Sequence, residues 1–323
     1  MKSKKNICVV GGGYWGKNHI KTLHSLGLLG GVVDNNQDTL DVVKKKYQYP
    51  ALYSNIEESL SADKTLGYVV ASPAETHYDI AKKIILSKNH LLVEKPLTLT
   101  IEHATDLVSL SKAHNVKLMV GHVLLFHGAI KKIKDYIDSG KIGELQYIYS
   151  NRLNLGKVRS NENVFWSLAP HDISIFQFLT GSYPSNIEAS GSSILQKDIH
   201  DSTITQLTYS SGVKGHIFVS WLHPFKEHRL VVIGSEGMMS FEDSKDDKPL
   251  KFYSKKFDTS KPIPEKIDGP VKMIEYDNIM PLTEELKYFH NCCNGEDLII
   301  ANSNHALEVT KILVKASGEI TKK

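Results

Sequence analysis

Gly11, Gly12 and Gly13 directly follow an apolar run at residues 7–10, and a fourth glycine stands at Gly16. Glycine forfeits side-chain packing and loses the most backbone entropy on folding, so such a concentration needs a geometric reason. Two reasons fit: a tight connection between elements, or a bulky anion that must come close to the backbone. Gly11, Gly13 and Gly16 satisfy G-x-G-x-x-G, with Tyr14 and Trp15 inside the motif. The run before it reads as a strand, and Ile20, Leu23 and Leu26 after it have helical spacing. A helix opening at that turn presents backbone N–H groups and the positive end of its dipole, an arrangement that holds a diphosphate. A second apolar run ends in Asp34, 18 residues beyond Gly16, and Asn35 and Asn36 follow it. A carboxylate there accepts hydrogen bonds from ribose hydroxyls and repels an added phosphate. No arginine stands beside it, so the expected cofactor is NAD.

The rest of the first third alternates strand-like and helix-like stretches. Runs at 31–34, 51–53, 67–72, 90–95 and 116–122 are largely apolar, as strands covered on both faces are. Between them lie helical patterns such as Ile80, Ile84 and Ile85, or Leu107, Leu110 and Ala113. The pattern predicts an α/β Rossmann domain over residues 1–122, with a parallel, doubly wound sheet. After a helix carrying Ile130, Ile133 and Ile137, the runs at 144–152, 202–210, 213–222, 227–234 and 250–257 alternate and read as antiparallel strands. Helices are expected over 170–181, 281–293 and 306–320, and loops and edge strands over the charged, proline-bearing stretch 243–270. Residues 123–323 are thus expected to form an α+β domain, with the last helix free to pack back toward the first.

Composition narrows the function classes. The chain has 323 residues, more than one core usually serves, with 41% hydrophobic and 23% charged residues. A formal charge of +3 gives no reason to expect nucleic acid or a membrane surface as partner. Cys8, Cys292 and Cys293 form neither a metal-ligand spacing nor a disulfide framework, so no metal is expected and a reducing cytoplasm is the expected setting.

Lys95 lies in "LLVEKPLTLT", and by composition alone it is a solvated loop lysine. Taken together, "GGGYWG", "ASPAETHYDIA", "EKP" and "VGH" resemble the Gfo/Idh/MocA oxidoreductase family in order and spacing. "GSEGMMSFED" and "ALEVTKIL" extend the resemblance over nearly the whole chain. It implies that Lys95 lies beside the nicotinamide and the reacting hydroxyl. It also implies a cofactor site drawing on Ser72, Pro73, His77, Glu94 and His122, with His122 in reach of substrate as well. The second domain is then an open, mostly antiparallel sheet that packs into homodimers or homotetramers.

The stretch 151–174 gathers Arg152, Arg159, Asn163, Trp166 and His171, the substrate-binding residues that the resemblance nominates alongside Lys95 and His122. His171 falls where the family places its catalytic histidine. The chain departs from the commoner pattern in carrying Ser167 where an Asp often stands four residues earlier. It departs again in "FHG" after "GHVLL", where an aromatic, a polar residue and a proline are more usual. This stretch resembles the branch acting on nucleotide sugars, above all the UDP-N-acetylglucosamine 3-dehydrogenases. Those make a 3-keto sugar for a later aminotransferase, in amino-sugar biosynthesis of the kind that serves lipid A. The implied substrate is a UDP-sugar, whose diphosphate suits Arg152 or Arg159, since guanidinium groups pair with phosphate oxygens. Lys95 and His171 are the expected catalytic residues, one taking the hydroxyl proton and the other stabilising the oxygen; the sequence leaves their order open. Three rival readings remain: a dehydrogenase for UDP-N-acetylglucosaminuronic acid, an NAD-dependent glycosidase, and a non-enzymatic dinucleotide sensor.

Overall fold

The computed structural model describes residues 6–48, 50–62, 65–156, 158–159 and 162–321, so Lys157, Ser160 and Asn161 of the middle stretch lie outside the described residues. Each early apolar run is a strand and each helical pattern a helix. In order they are β1 (Asn6–Val10), α1 (Tyr14–Ser25), β2 (Leu29–Val33), α2 (Gln37–Lys46), β3 (Ala51–Tyr53), α3 (Ile56–Ser61), β4 (Thr65–Val70), α4 (His77–Leu86), β5 (His90–Glu94), α5 (Ile101–Ala113) and β6 (Leu118–Gly121). The strands form a six-stranded sheet in the order β3-β2-β1-β4-β5-β6, and all of its pairings are parallel. Val10, Val70, Val93 and Val120 share one core cluster with Ala81, Ile84, Ile85, Ala104 and Leu107 of α4 and α5. The chain runs outward from β1 to β3 and returns beside β1 as β4. That reversal opens a crevice at the carboxyl ends of β1 and β4, where ligands bind in sheets of this kind.

The later elements are α6 (Gly128–Asp138), β7 (Leu145–Leu155), α7 (Val164–Thr180), β8 (Pro184–Ser192), β9 (Ser202–Tyr209), β10 (Lys214–Ser220), β11 (Leu222–Gly234), β12 (Met238–Glu242), β13 (Leu250–Tyr253), β14 (Lys256–Asp258), β15 (Glu265–Ile267), β16 (Val271–Met273), α8 (Pro281–Cys293) and α9 (Ser303–Thr321). Eight strands pair in the order β16-β13-β12-β11-β7-β10-β9-β8, while β14 and β15 pair only with each other. The pairings are antiparallel except β7 with β10. Alternation reports which face a side chain takes and not the strand's direction, so the sequence could not mark that exception. The expected run at 250–257 divides between β13 and β14, which lie in different sheets.

α7 packs on β7, β9 and β10. Its expected start at Pro170 is too late, because Asn163 caps the helix and Pro170 sits inside it, buried. Pro lacks the N–H that would close a bond to Trp166, but buried neighbours such as Phe165, Ile173 and Phe176 hold the helix through that gap.

Packing divides the chain into Met1–Phe126 with Ile279–Thr310, and His127–Asn278 with Lys311–Lys323. This differs from the contiguous segments 1–122 and 123–323. α8 belongs with the first unit because its Leu286, Phe289 and Cys292 are buried there; a Cβ on Gly67 of β4 would lie 3.1 Å from the Phe289 ring. Among the described residues no helix is long and apolar enough to cross a membrane.

Candidate active site

The glycine turn is built around backbone contacts that no side chain would permit. Gly11 N donates to Val33 O (2.8 Å) and Ala71 N to Val10 O (2.8 Å), closing the turn onto the ends of β2 and β4. Gly11 has φ +93°, and a Cβ there would stand 2.9 Å from Ser72 N. At Gly16 a Cβ would lie 1.8 Å from Gly11 O, so only glycine lets α1 press onto the turn. At Gly13 nothing lies within 4 Å of that position. The first turn of α1 carries no acidic residue and no side-chain cap, and Tyr14 and Trp15 are exposed on it, at 84% and 38%. An open space above a glycine, flanked by uncapped helix N–H groups, fits a diphosphate. Asp34 Oδ2 accepts from Gly12 N (2.6 Å) and Oδ1 from Asn36 N (2.9 Å), which fixes the carboxylate with lone pairs to spare for ribose hydroxyls. Asn35 is exposed beside it. The residues present therefore fit NAD.

Around Lys95 several nominated residues hold the scaffold instead of a ligand. Glu94 is buried, with Oε1 2.7 Å from His19 Nε2, and its Oε2 accepts from Lys95 N at 3.1 Å. That carboxylate orients the backbone carrying Lys95. His77 is likewise buried. Its Nε2 lies 2.9 Å from Ser72 O and its Nδ1 2.8 Å from Pro96 O. It sits between the loop after β4 and the loop after β5, each of which offers a carbonyl oxygen to one of its ring nitrogens. Ser72 Oγ accepts from Thr76 Oγ1 (2.7 Å), while Pro73 remains exposed on that loop. Lys95 is half-buried at the carboxyl end of β5. Glu94 pairs with Gly121 in register, so Lys95 and His122 leave neighbouring strand ends side by side. His122 is buried, and burial, with the His305 ring and Lys95 adding to it, drives its proton affinity well below the usual histidine range; the ring is neutral at physiological pH.

The second unit departs further from expectation. Arg152 is buried and grips Asp172 with two bonds, Nε to Oδ2 at 2.7 Å and Nη2 to Oδ1 at 3.0 Å. Its Nη1 lies 3.5 Å from His228 Nδ1, so a guanidinium expected on a diphosphate is committed to the protein. Burial first, then the Arg152 charge, pushes His228 down to about 3. Arg159 is exposed and pairs with Glu162. Asn163 Oδ1 accepts from Trp166 N (3.1 Å) as the cap of α7, and Trp166 Nε1 donates to Ser317 Oγ (2.8 Å). Both side chains therefore have structural duties where substrate contacts were expected. His171 lies half-buried on α7, next to Asp172.

Sequence reasoning passed over Asp172, His228, His305 and Glu285; the first two meet Arg152, and His305 meets His122, only in the folded chain. Glu285 on α8 is wholly buried with no hydrogen-bond partner for either oxygen among the described residues. Burial, then the charge of Glu94, raises its carboxyl well above the usual range. Among the described residues no three His, Cys, Asp or Glu side chains are placed to hold a metal ion.

Comparison with known proteins bears on the fold and the family. The chain is 27% identical over 213 residues to UDP-N-acetylglucosamine 3-dehydrogenase of Acidithiobacillus ferrooxidans, a match spanning 66% of this chain and 66% of that one, just under two thirds of the relative's length. It is 24% identical over 244 residues to myo-inositol 2-dehydrogenase of Thermotoga maritima, covering 72% and 73% of the two chains. The solved structure of the A. ferrooxidans enzyme, GnnA, superposes with a TM-score of 0.86 at 21% identity over 98% of this chain and 97% of that one. Residues 5–122 match the oxidoreductase family with an NAD-binding Rossmann fold, and residues 130–240 match the GFO/IDH/MocA C-terminal domain. With its glycine cradle, its fixed Asp34 and both family domains in order, the chain belongs to the Gfo/Idh/MocA oxidoreductase family.

Proposed function

We propose that this protein oxidises the C3 hydroxyl of a UDP-sugar with NAD, and that the sugar is UDP-N-acetylglucosamine. The observation that carries the reading is the cradle at the β1/β4 reversal, with Lys95 leaving the end of β5 beside it in the sheet order. The choice of sugar rests on the likeness to the A. ferrooxidans enzyme and on the run from Arg152 to His171. NAD supplies the hydride acceptor when bound. The backbone N–H groups at Gly13 and the start of α1 hold the diphosphate, and Asp34 holds the ribose and excludes a 2′-phosphate. Lys95 stabilises the developing alkoxide as a cation, and His171 accepts the hydroxyl proton. With Arg152 committed to Asp172, Arg159 is the arginine left for the UDP diphosphate. The same commitment removes a cation that the extra carboxylate of a uronic acid would call for, which favours the neutral sugar.

The 3-keto product is a carbonyl suited to a sugar aminotransferase acting next, as in amino-sugar biosynthesis for lipid A. We place the chemistry in the cytoplasm, where the free Cys8, Cys292 and Cys293 stay reduced. The sheet face turned away from α7 carries Tyr149, Ile204 and Phe218, with Ile204 43% exposed. A second copy covering that face gives a homodimer, or a homotetramer by a further contact.

The test is a panel of UDP-sugars with NAD, read by NADH absorbance and product mass. UDP-N-acetylglucosamine should lose two hydrogens. Lys95→Ala and His171→Ala should each lower turnover by about 10²-fold or more while NAD affinity stays near the wild-type value. Near-normal turnover in both variants would remove the mechanism. Silence across the whole panel would remove the substrate and leave the cofactor in place.

A further inference from the structure

His122 is, with Glu285, one of two buried side chains of the first unit left without a hydrogen-bond partner on either polar atom among the described residues. It is 1% exposed, and neither ring nitrogen has a hydrogen-bond partner among the described residues. Leaving a buried donor or acceptor without a partner is costly, so such a group calls for a bound water, ion or ligand to complete the bonding. A neutral imidazole offers one donor and one acceptor on different sides of the ring. It suits amides and hydroxyls, which both give and take a hydrogen bond, better than it suits an ammonium or a carboxylate.

The ring's setting is built with care. Its neighbour is His305, with the ring centroids 5.3 Å apart and the planes at 87°, edge to face. His305 is delivered there by a short connection pinned to β6. Val120 N donates to Ala301 O at 3.0 Å, and Met119 bridges Asn302. Asn302 Oδ1 in turn accepts from His305 N at 3.1 Å. Ala301, buried at 2%, takes φ +54°, a conformation that a residue with a Cβ adopts only when its surroundings impose it. The start of α9 is thus held against the end of β6 although 182 residues separate His122 from His305.

We propose that His305 is a positioning residue of the redox site. It holds the His122 ring edge to face in the orientation that leaves both nitrogens without a bond inside the protein, to be met by uncharged amide or hydroxyl groups of the molecules that meet at Lys95. Two sources carry that chemistry: the carboxamide of NAD and a hydroxyl of the sugar. The assignment rests on the proposed function for the second source only, since the cofactor domain stands on its own match.

The experiment measures affinities of the full-length protein by calorimetry for three probes: NAD⁺, ADP-ribose, and UDP-N-acetylglucosamine added to the NADH-loaded protein. ADP-ribose lacks the nicotinamide and reports the cradle alone. In His305→Ala, ADP-ribose should bind within about two-fold of wild type, while NAD⁺ or UDP-N-acetylglucosamine should bind about ten-fold more weakly. His305→Gln, which keeps volume and a polar edge, should recover part of that loss. A fall for NAD⁺ assigns the carboxamide, and a fall confined to the sugar assigns the hydroxyl. If the wild-type protein ignores UDP-N-acetylglucosamine but the NAD⁺ to ADP-ribose affinity ratio still drops, the proposed substrate fails and the role of His305 stands. An unchanged ratio without any loss of sugar affinity overturns the role. An equal fall for all three probes, ADP-ribose included, reduces His305 to a packing residue and overturns it as well.

Discussion

The glycine turn of the first unit and the helix α7 region of the second unit earn their roles in opposite ways. In the turn, the backbone does the work, and Gly11 and Gly16 are each required by a backbone contact that a Cβ would destroy. Around α7, polar side chains of the same kinds that bind sugar nucleotides bind one another instead: Arg152 holds Asp172, Asn163 caps Trp166 N, and Trp166 reaches Ser317. A backbone requirement is written in the residue type at that position. A side-chain role depends on a partner that can lie anywhere in the chain. Motifs made of glycine are therefore safer guides to a ligand than motifs made of arginine, asparagine and tryptophan.

The strongest way to break this comparison is at Arg152. Removing one member of a buried, bidentate ion pair leaves the other charge uncompensated, which costs about 3–5 kcal/mol. Arg152→Ala should lower the unfolding free energy by that amount in denaturant titration, and pairing Arg152→Met with Asp172→Leu should restore most of it. Were Arg152 a diphosphate ligand, the single substitution would leave stability nearly intact and weaken only UDP-sugar binding.

The same contrast explains how much could be read in advance. The parallel strands were legible because burial on both faces makes them apolar throughout, and Asp34 because it ends one of them beside the cradle. β8 was not foreseen: it is an edge strand, Pro184–Ser192, mostly polar and exposed, whose alternation rests on Ile187, Ala189 and Gly191 alone, too small a set to stand out. The start of α7 was hidden by Pro170, since a proline reads as a beginning and not as an interior residue. The place of α8 in the first unit was invisible because an amphipathic pattern names the buried face but not what covers it. Glu94 and His77 were nominated for the cofactor site, while their bonds to His19, Ser72 and Pro96 are tertiary facts that no local pattern records.

Within the glycine turn, two substitutions separate structure from ligand. Gly16→Ala puts a methyl 1.8 Å from Gly11 O, and neither backbone can yield without opening the turn. A cost of about 1–3 kcal/mol is expected, with loss of NAD affinity following from the displaced helix. At Gly13, with φ −65° and nothing within 4 Å of a Cβ, alanine should change stability by less than about 0.5 kcal/mol. Any fall in NAD affinity in Gly13→Ala then measures how closely the diphosphate approaches. Equal stability losses at both positions would show that the turn is tight for its own sake.

Asn163 gives the smallest effect and the finest discrimination, because its two readings predict different observables. As the cap of α7 its Oδ1 satisfies one N–H, and Asn163→Ala should cost about 1 kcal/mol. Asn163→Ser keeps a capping oxygen on a shorter stem, so it should hold stability within a few tenths of a kcal/mol of wild type. Its amide nitrogen, which a serine cannot replace, is the only part of the side chain left to reach a sugar. The capping role predicts an unchanged kcat/KM for Asn163→Ser; a drop there with stability intact would return Asn163 to the substrate-binding set. In that event the second unit would do with a side chain what the first does with its backbone, serving fold and ligand through different atoms of one residue.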